Sequence, residues 1–122
     1  MRIINRIKKS YITQMSEAKD IRLKWLKIEE TMDIVATQFK EERELLWTQF
    51  IYTSNISKRE ISLEVGGHGI RFLWWPKEIR VSKLLNDKVY GIIDYVEPYS
   101  ESIESRIENW LIGAFDPTVV YQ

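Results

Sequence analysis

The chain of 122 residues can support one domain with a modest core, and its 44% hydrophobic and 30% charged content marks a folded soluble protein rather than a disordered one. It has no Cys, which excludes disulfides, thiolate metal sites and Cys nucleophiles, and its single His excludes a histidine cluster. Eighteen basic side chains balance eighteen acidic ones, which argues against a dedicated nucleic-acid binder, yet the charges are segregated: residues 1–27 are net +6, 28–44 net −4, 45–85 net +3 and 86–122 net −5.

The first element is read from its period. Ile4, Tyr11, Ala18, Trp25, Met32, Phe39 and Leu46 recur every seventh residue, and Ile7, Ile21, Ile28 and Val35 stand three residues after Ile4, Ala18, Trp25 and Met32. Gaps of four and three lay one apolar stripe along a helix. No Gly or Pro precedes Gly66, so a helical segment over residues 1–53 meets no strong breaker. An unbroken helix of that length would outrun a compact domain, so a break is expected within residues 10–16, with Ser16 capping a new helix at Glu17. The start of the chain carries Arg2, Arg6, Lys8 and Lys9 and lacks the apolar stretch of a secretory signal. Residues 1–15 also lack acids, as mitochondrial presequences do, but the continuous stripe reads them as the first helical turns. No apolar run approaches the roughly 20 residues of a membrane span, and a cytoplasmic location is expected.

The period then changes to two. Ile61, Leu63 and Val65, then Ile70, Phe72 and Trp74, flank the Gly66-Gly67-His68-Gly69 connection and read as a β-hairpin closed by Pro76. Ile79, Val81 and Leu85 suggest another strand, and a turn at Asn86-Asp87 leads into Val89–Val96. That last run is apolar on both faces and is expected centrally in a sheet spanning residues 58–97. After Pro98, Ser100 or Ser102 can cap a helix over residues 100–115 bearing Ile107, Trp110 and Ala114. Residues 119–121 form an edge strand or a tail. The expected class is α+β: a long N-terminal helix on a three- to four-stranded antiparallel sheet, completed by a short C-terminal helix. The core should include Trp25, Ile28, Met32, Val35, Phe39, Leu46, Leu63, Phe72, Ile93, Ile107 and Trp110.

Catalytic signals are weak. His68 sits in a Gly-rich turn with no G-x-S-x-G elbow anywhere, and the Gly residues lack the Lys-Ser/Thr of a phosphate loop. Asp94, Glu97, Glu60, Glu64 and Glu78 match no metal signature and read as surface acids. No cofactor or metal is expected. Aromatic content is the stronger lead. Trp74 and Trp75 are adjacent on a strand and must point to opposite faces, so one is exposed unless the C-terminal helix covers it. With Arg71, Lys77 and Arg80 nearby, this is the composition of a protein-interface hot spot, and also of a base-stacking platform. Arg2, Arg6, Lys9 and Tyr11 form a candidate oligomer or nucleic-acid contact on the first helix. Antiparallel pairing of two copies would set each basic half against an acidic half, so a homo-oligomer through this helix is expected.

The resulting expectation is a small non-enzymatic protein-binding module, comparable in profile to inhibitor or immunity-type proteins of phages and mobile elements. Two alternatives follow from the same features: a nucleic-acid-binding accessory protein using residues 1–27 and an exposed Trp, and a structural coiled-coil assembly protein.

Overall fold

The computed structural model describes residues 2–46 and 50–116, the side chains of 43–46 excepted. Helix α1 runs unbroken over Arg2–Leu46. Five strands follow, β1 Phe50–Asn55, β2 Glu60–Val65, β3 His68–Trp75, β4 Glu78–Leu85 and β5 Lys88–Val96, and helix α2 spans Glu104–Phe115. The strands form one antiparallel meander in the order β1-β2-β3-β4-β5. The class is α+β as expected, with five strands rather than three or four.

The expected break at residues 10–16 does not occur. Thr13 turns its hydroxyl back to the carbonyl of Lys9 at 3.0 Å, so this side chain bonds within the helix instead of capping a new one. The residues assigned to the helix end include Phe50-Ile51-Tyr52-Thr53, which instead open the sheet as β1. All four are strong strand formers, and pairing Tyr52 with Leu63 and Phe50 with Val65 puts their aromatic rings against the core.

Two hairpin turns have both central residues at positive φ: Gly66 (62°) with Gly67 (84°), and Asn86 (51°) with Asp87 (64°). These are the left-handed turns that match strand twist. The turns also touch, since the amide of Asn86 donates to the carbonyl of Gly67 at 2.8 Å. A Cβ on Gly67 would stand 2.7 Å from Asn86 Oδ1, which the Asn86 side chain can relieve by turning, so it is the φ of 84° that calls for glycine here.

Strand alternation gives the sheet one face of Ile61, Leu63, Ile70, Phe72, Ile79 and Val81, all buried. Both helices lie on that face. Helix α1 contributes Ile21, Trp25, Ile28, Met32 and Ala36, and α2 contributes Ile107, Trp110 and Ala114. Ring contacts tie the layers: Trp25 to Trp74 at 5.8 Å and Trp110 to Phe72 at 6.1 Å. The buried line in α1 runs at spacings 4-3-4-4, and five turns bring it from Ile21 to half-buried Phe39. That is the 3.6 period of a straight helix on a sheet, so the strict seventh-residue series drifts off the contact line. Of the expected core, Val35, Phe39 and Ile93 are half-buried against it, while the side chain of Leu46 and residues 119–121 lie outside the described residues.

Strand β5 is an edge strand, not a central one. Register shifts at Val81/Ser82 and Lys83/Leu84 disturb its pairing with β4, and Val89, Tyr90 and Tyr95 remain exposed. Apolarity on both sides thus accompanies irregular edge pairing rather than burial between strands. Helix α2 begins after Ile103, which makes no side-chain cap bond. Ser100, one of the two expected caps, instead donates its hydroxyl to the carbonyl of Glu97 at 2.7 Å.

The end of α2 is capped from the sheet. Lys83 lies on the helix-covered face, opposite Ile70, and is almost fully buried. Its Nζ donates to the carbonyls of Gly113 (3.3 Å), Ala114 (3.0 Å) and Asp116 (3.0 Å). Carbonyls in the last helical turn have no partner within the helix and form the negative end of its dipole, which is where a cation is most stabilising.

Candidate functional site

With both helices on one face, no described element covers the other face of the sheet, although Glu64, Ser82 and Leu84 on it are buried. Arg71 and Ser82 pair directly across β3 and β4 on it, and Leu73 pairs with Arg80 one step along. Trp75, at the end of β3, is 46% exposed. Arg80 is fixed over two rings, its guanidinium carbon 4.6 Å from the centroid of Trp75 and 5.7 Å from that of Tyr95, and Nη2 stands 3.7 Å from Glu78. The rings hold the guanidinium by cation–π attraction, which orders a side chain that would otherwise be free.

Arg71 differs. Among the described residues no hydrogen bond, ion pair or ring contact holds it, although its Nε is shielded from solvent. The Nε of Arg80 and the hydroxyl of Ser82 are likewise shielded without a partner. Of the two β2 carboxylates that flank Ser62, the partner of Arg71, Glu60 makes no bond to Arg71 and Glu64 is committed elsewhere. It is buried, crosses Gly69 and accepts the amide of Asp87 at 2.6 Å. A Cβ on Gly69 would approach Glu64 Cγ to 2.6 Å and the carbonyl oxygen of Leu63 to 2.4 Å, so the absent side chain is what admits this crossing. The patch therefore presents two guanidinium groups, an exposed indole and an exposed phenol ring. It can receive a planar or apolar group beside a carboxylate.

The structure brings together three of the five expected contact residues, Arg71, Trp75 and Arg80. Trp74 lies on the opposite face, because adjacent strand residues alternate, and stacks between Trp25 and the guanidinium of Arg59, 4.5 Å from its centroid. There it lines a cleft of about 490 Å³ between α1 and the β1–β2 turn, with its Nε1 shielded and unbonded. Lys77 sits in the β3–β4 turn, at the rim of a hollow of about 610 Å³ shared with Glu17, Trp75, Glu97 and Tyr99. Arg2, Arg6, Lys9 and Tyr11 are all exposed on the first turns of α1, apart from this patch. Sequence reading missed Tyr95 and Ser82, whose only signal was alternation along strands whose register was unknown.

Asp94, Asp20 and Asp33 are engaged in structure. Asp94 accepts from Arg106 at 2.6 Å, from Trp110 Nε1 at 2.9 Å and from the Tyr95 amide at 2.8 Å, joining β5 to α2. Asp20 accepts from Lys24 and from the amide of Tyr99 at 2.8 Å, a residue held at φ 61°. Partial burial works to raise the Asp20 carboxyl, but these hydrogen bonds and the Lys24 charge outweigh it and hold it below the ordinary 3.8. Tyr52 donates to Asp33 at 2.6 Å, and burial followed by that bond to a carboxylate pushes its hydroxyl above its usual range. No group of three or more His, Asp or Glu able to hold a metal occurs among the described residues. No helix there is long and apolar enough to cross a membrane. Comparison with known protein families, with curated proteins and with solved structures finds no match.

Proposed function

We propose that this protein is a small, non-enzymatic protein-binding module of the cytoplasm, and that the uncovered sheet face is where its partner docks. The carrying observation is Arg71: a half-buried guanidinium on an open face, with no partner of its own among the described residues. Shielded donors without acceptors are costly, and a partner carboxylate would satisfy this one. Trp75, Arg80 and Tyr95 beside it supply the aromatic and Arg anchors typical of interface hot spots. An inhibitor or immunity-type role in a phage or mobile element is the form of binding that fits a Cys-free, aromatic-rich chain whose Asp94 and Glu64 are taken up by structural hydrogen bonds.

The test compares capture from the host lysate by the wild-type chain, by Trp75→Ala and by Arg71→Glu, with Ile56→Ala on the opposite side as control. The reading expects one protein retained by wild type and control and lost by both open-face variants. Equal recovery by all four would remove it, as would metal-dependent hydrolysis of nucleic acid abolished by Asp94→Asn. A second reading, nucleic-acid binding, is favoured by one observation: residues 2–16 carry Arg2, Arg6, Lys8 and Lys9, all exposed, and no acid. It requires affinity that falls steeply with salt and is lost when Arg2, Arg6 and Lys9 are replaced.

A further inference from the structure

The first turns of α1 extend past the sheet. From Arg2 to Ser16 every side chain is exposed, and the exposed set includes Ile3 (68%), Ile7 (62%) and Tyr11 (64%), with Ile4, Ile12 and Met15. Ile3 and Ile7 stand 18 residues before Ile21 and Trp25, which is five full turns at 3.6 residues per turn. They therefore continue the line that packs on the sheet, and the overhang's apolar side faces the space beyond the sheet's end. That space is a ledge about 22 Å long, at 1.5 Å per residue, closed at its inner end by the hollow of Glu17, Trp75, Glu97 and Tyr99. A helical segment of this length is marginal in water on its own, so its apolar line calls for a partner.

We infer that the partner is the overhang of a second copy, paired antiparallel about a two-fold axis near residue 9. Two observations select it. The overhang is itself a helix with an exposed apolar line, so one two-fold operation covers the apolar sides of both copies. The charge pattern then sets the direction. All four overhang cations fall in residues 2–9, residues 10–16 are uncharged, and the hollow beyond them is lined by three acids, Glu17, Glu78 and Glu97, against one cation, Lys77. Antiparallel pairing lays each cationic half against the partner's neutral half and brings the cationic end up to the acidic hollow. Parallel pairing would stack Arg2, Arg6, Lys8 and Lys9 on themselves. The axis near residue 9 also sets Ile7 beside Tyr11 and Ile3 beside Met15, so apolar side chains meet across the seam. The pairing is confined to residues 2–16, because the line from Ile21 onward is occupied by the sheet.

The test is the mass of the intact chain in solution by light scattering and sedimentation, with two variants and two spin labels. A dimer is expected at about 100 μM, for a dissociation constant on the order of 10 μM. Ile7→Asp and Tyr11→Glu, both on fully exposed turns outside the core, should each weaken it about 100-fold, since each change strikes a symmetric seam twice. Their far-UV circular dichroism and Trp emission should match wild type. The chain has no native Cys, so Ser10→Cys and Ser16→Cys can each carry a single label. Antiparallel pairing offsets the two Ser10 labels by about 3 Å along the axis and the two Ser16 labels by about 21 Å, at 1.5 Å per residue. Parallel pairing gives equal separations. A monomer at 100 μM (a concentration of order ten times the expected dissociation constant), a dimer indifferent to both substitutions, or equal label separations would each overturn the inference. So would a monomer whose overhang is protected only on adding nucleic acid.

Discussion

Lys83→Met tests whether a buried cation from the sheet holds the end of α2. The substitution keeps the length and most of the volume of the side chain and removes the three bonds to the carbonyls of Gly113, Ala114 and Asp116. A hydrogen bond from a charged donor contributes about 1.5–3 kcal/mol net, and each carbonyl left shielded without a partner costs about 1–3 kcal/mol. Removing the ammonium also relieves the cost of burying a charge, which offsets part of that loss. The net expectation is a loss of about 2–4 kcal/mol, well above that of an isosteric core swap at about 1.5 kcal/mol or less. Urea unfolding followed by circular dichroism should show the midpoint falling by about 1–2 M, for a slope near 2 kcal/mol/M. Because Trp110 lies on α2 and touches Phe72, its emission should report early loosening of that helix. A shift under about 0.5 kcal/mol, or a more stable variant, would show that the helix end finds other partners and that the lysine is not its cap.

Three further outcomes follow. Gly69→Ala should cost about 2–4 kcal/mol, seen as a melting point lower by on the order of 10 °C, because its Cβ would meet backbone and the Glu64 stem together. Asp20 has a folded carboxyl held below its ordinary value of 3.8, so its contribution is present above that pH and lost as pH falls through the lower folded value. Asp20→Asn should flatten the acid limb of a stability–pH profile below about pH 4. Tyr52 has the opposite sign. Its hydroxyl is raised above 10.0, so its contribution is intact below that pH and declines as pH rises past it. Tyr52→Phe should therefore remove part of the alkaline loss, measured by urea midpoints from pH 8 to 11 (roughly the window spanned by a free phenol).

The class, the two helices and the central hairpin were legible in local pattern. A period near 3.6 from Ile21 to Phe39, alternation from Ile61 to Trp74 and left-handed turn residues at Gly66-Gly67 and Asn86-Asp87 each answer to backbone geometry within a few residues. The exposed Trp75 was half-legible, since alternation requires Trp74 and Trp75 to part but does not say which enters the core. Strand β1 was obscured because no Gly or Pro separates Leu46 from Phe50-Ile51-Tyr52, although strand propensity there points away from helix.

What the sequence by itself determined is which segments are helix or strand and which side of each is apolar, because those follow from rotation per residue. Only the tertiary structure decided that both helices take the same sheet face, leaving Arg71 on the open one, and that Lys83 reaches across the core to the end of α2. It also decided where the stripe stops being core and becomes exposed. Ile3, Ile7 and Ile21 are alike in sequence, and their difference arises only because the sheet is wide enough to reach Ile21 and not the others. Burial depends on what lies opposite a side chain, and that is a property of the assembled fold.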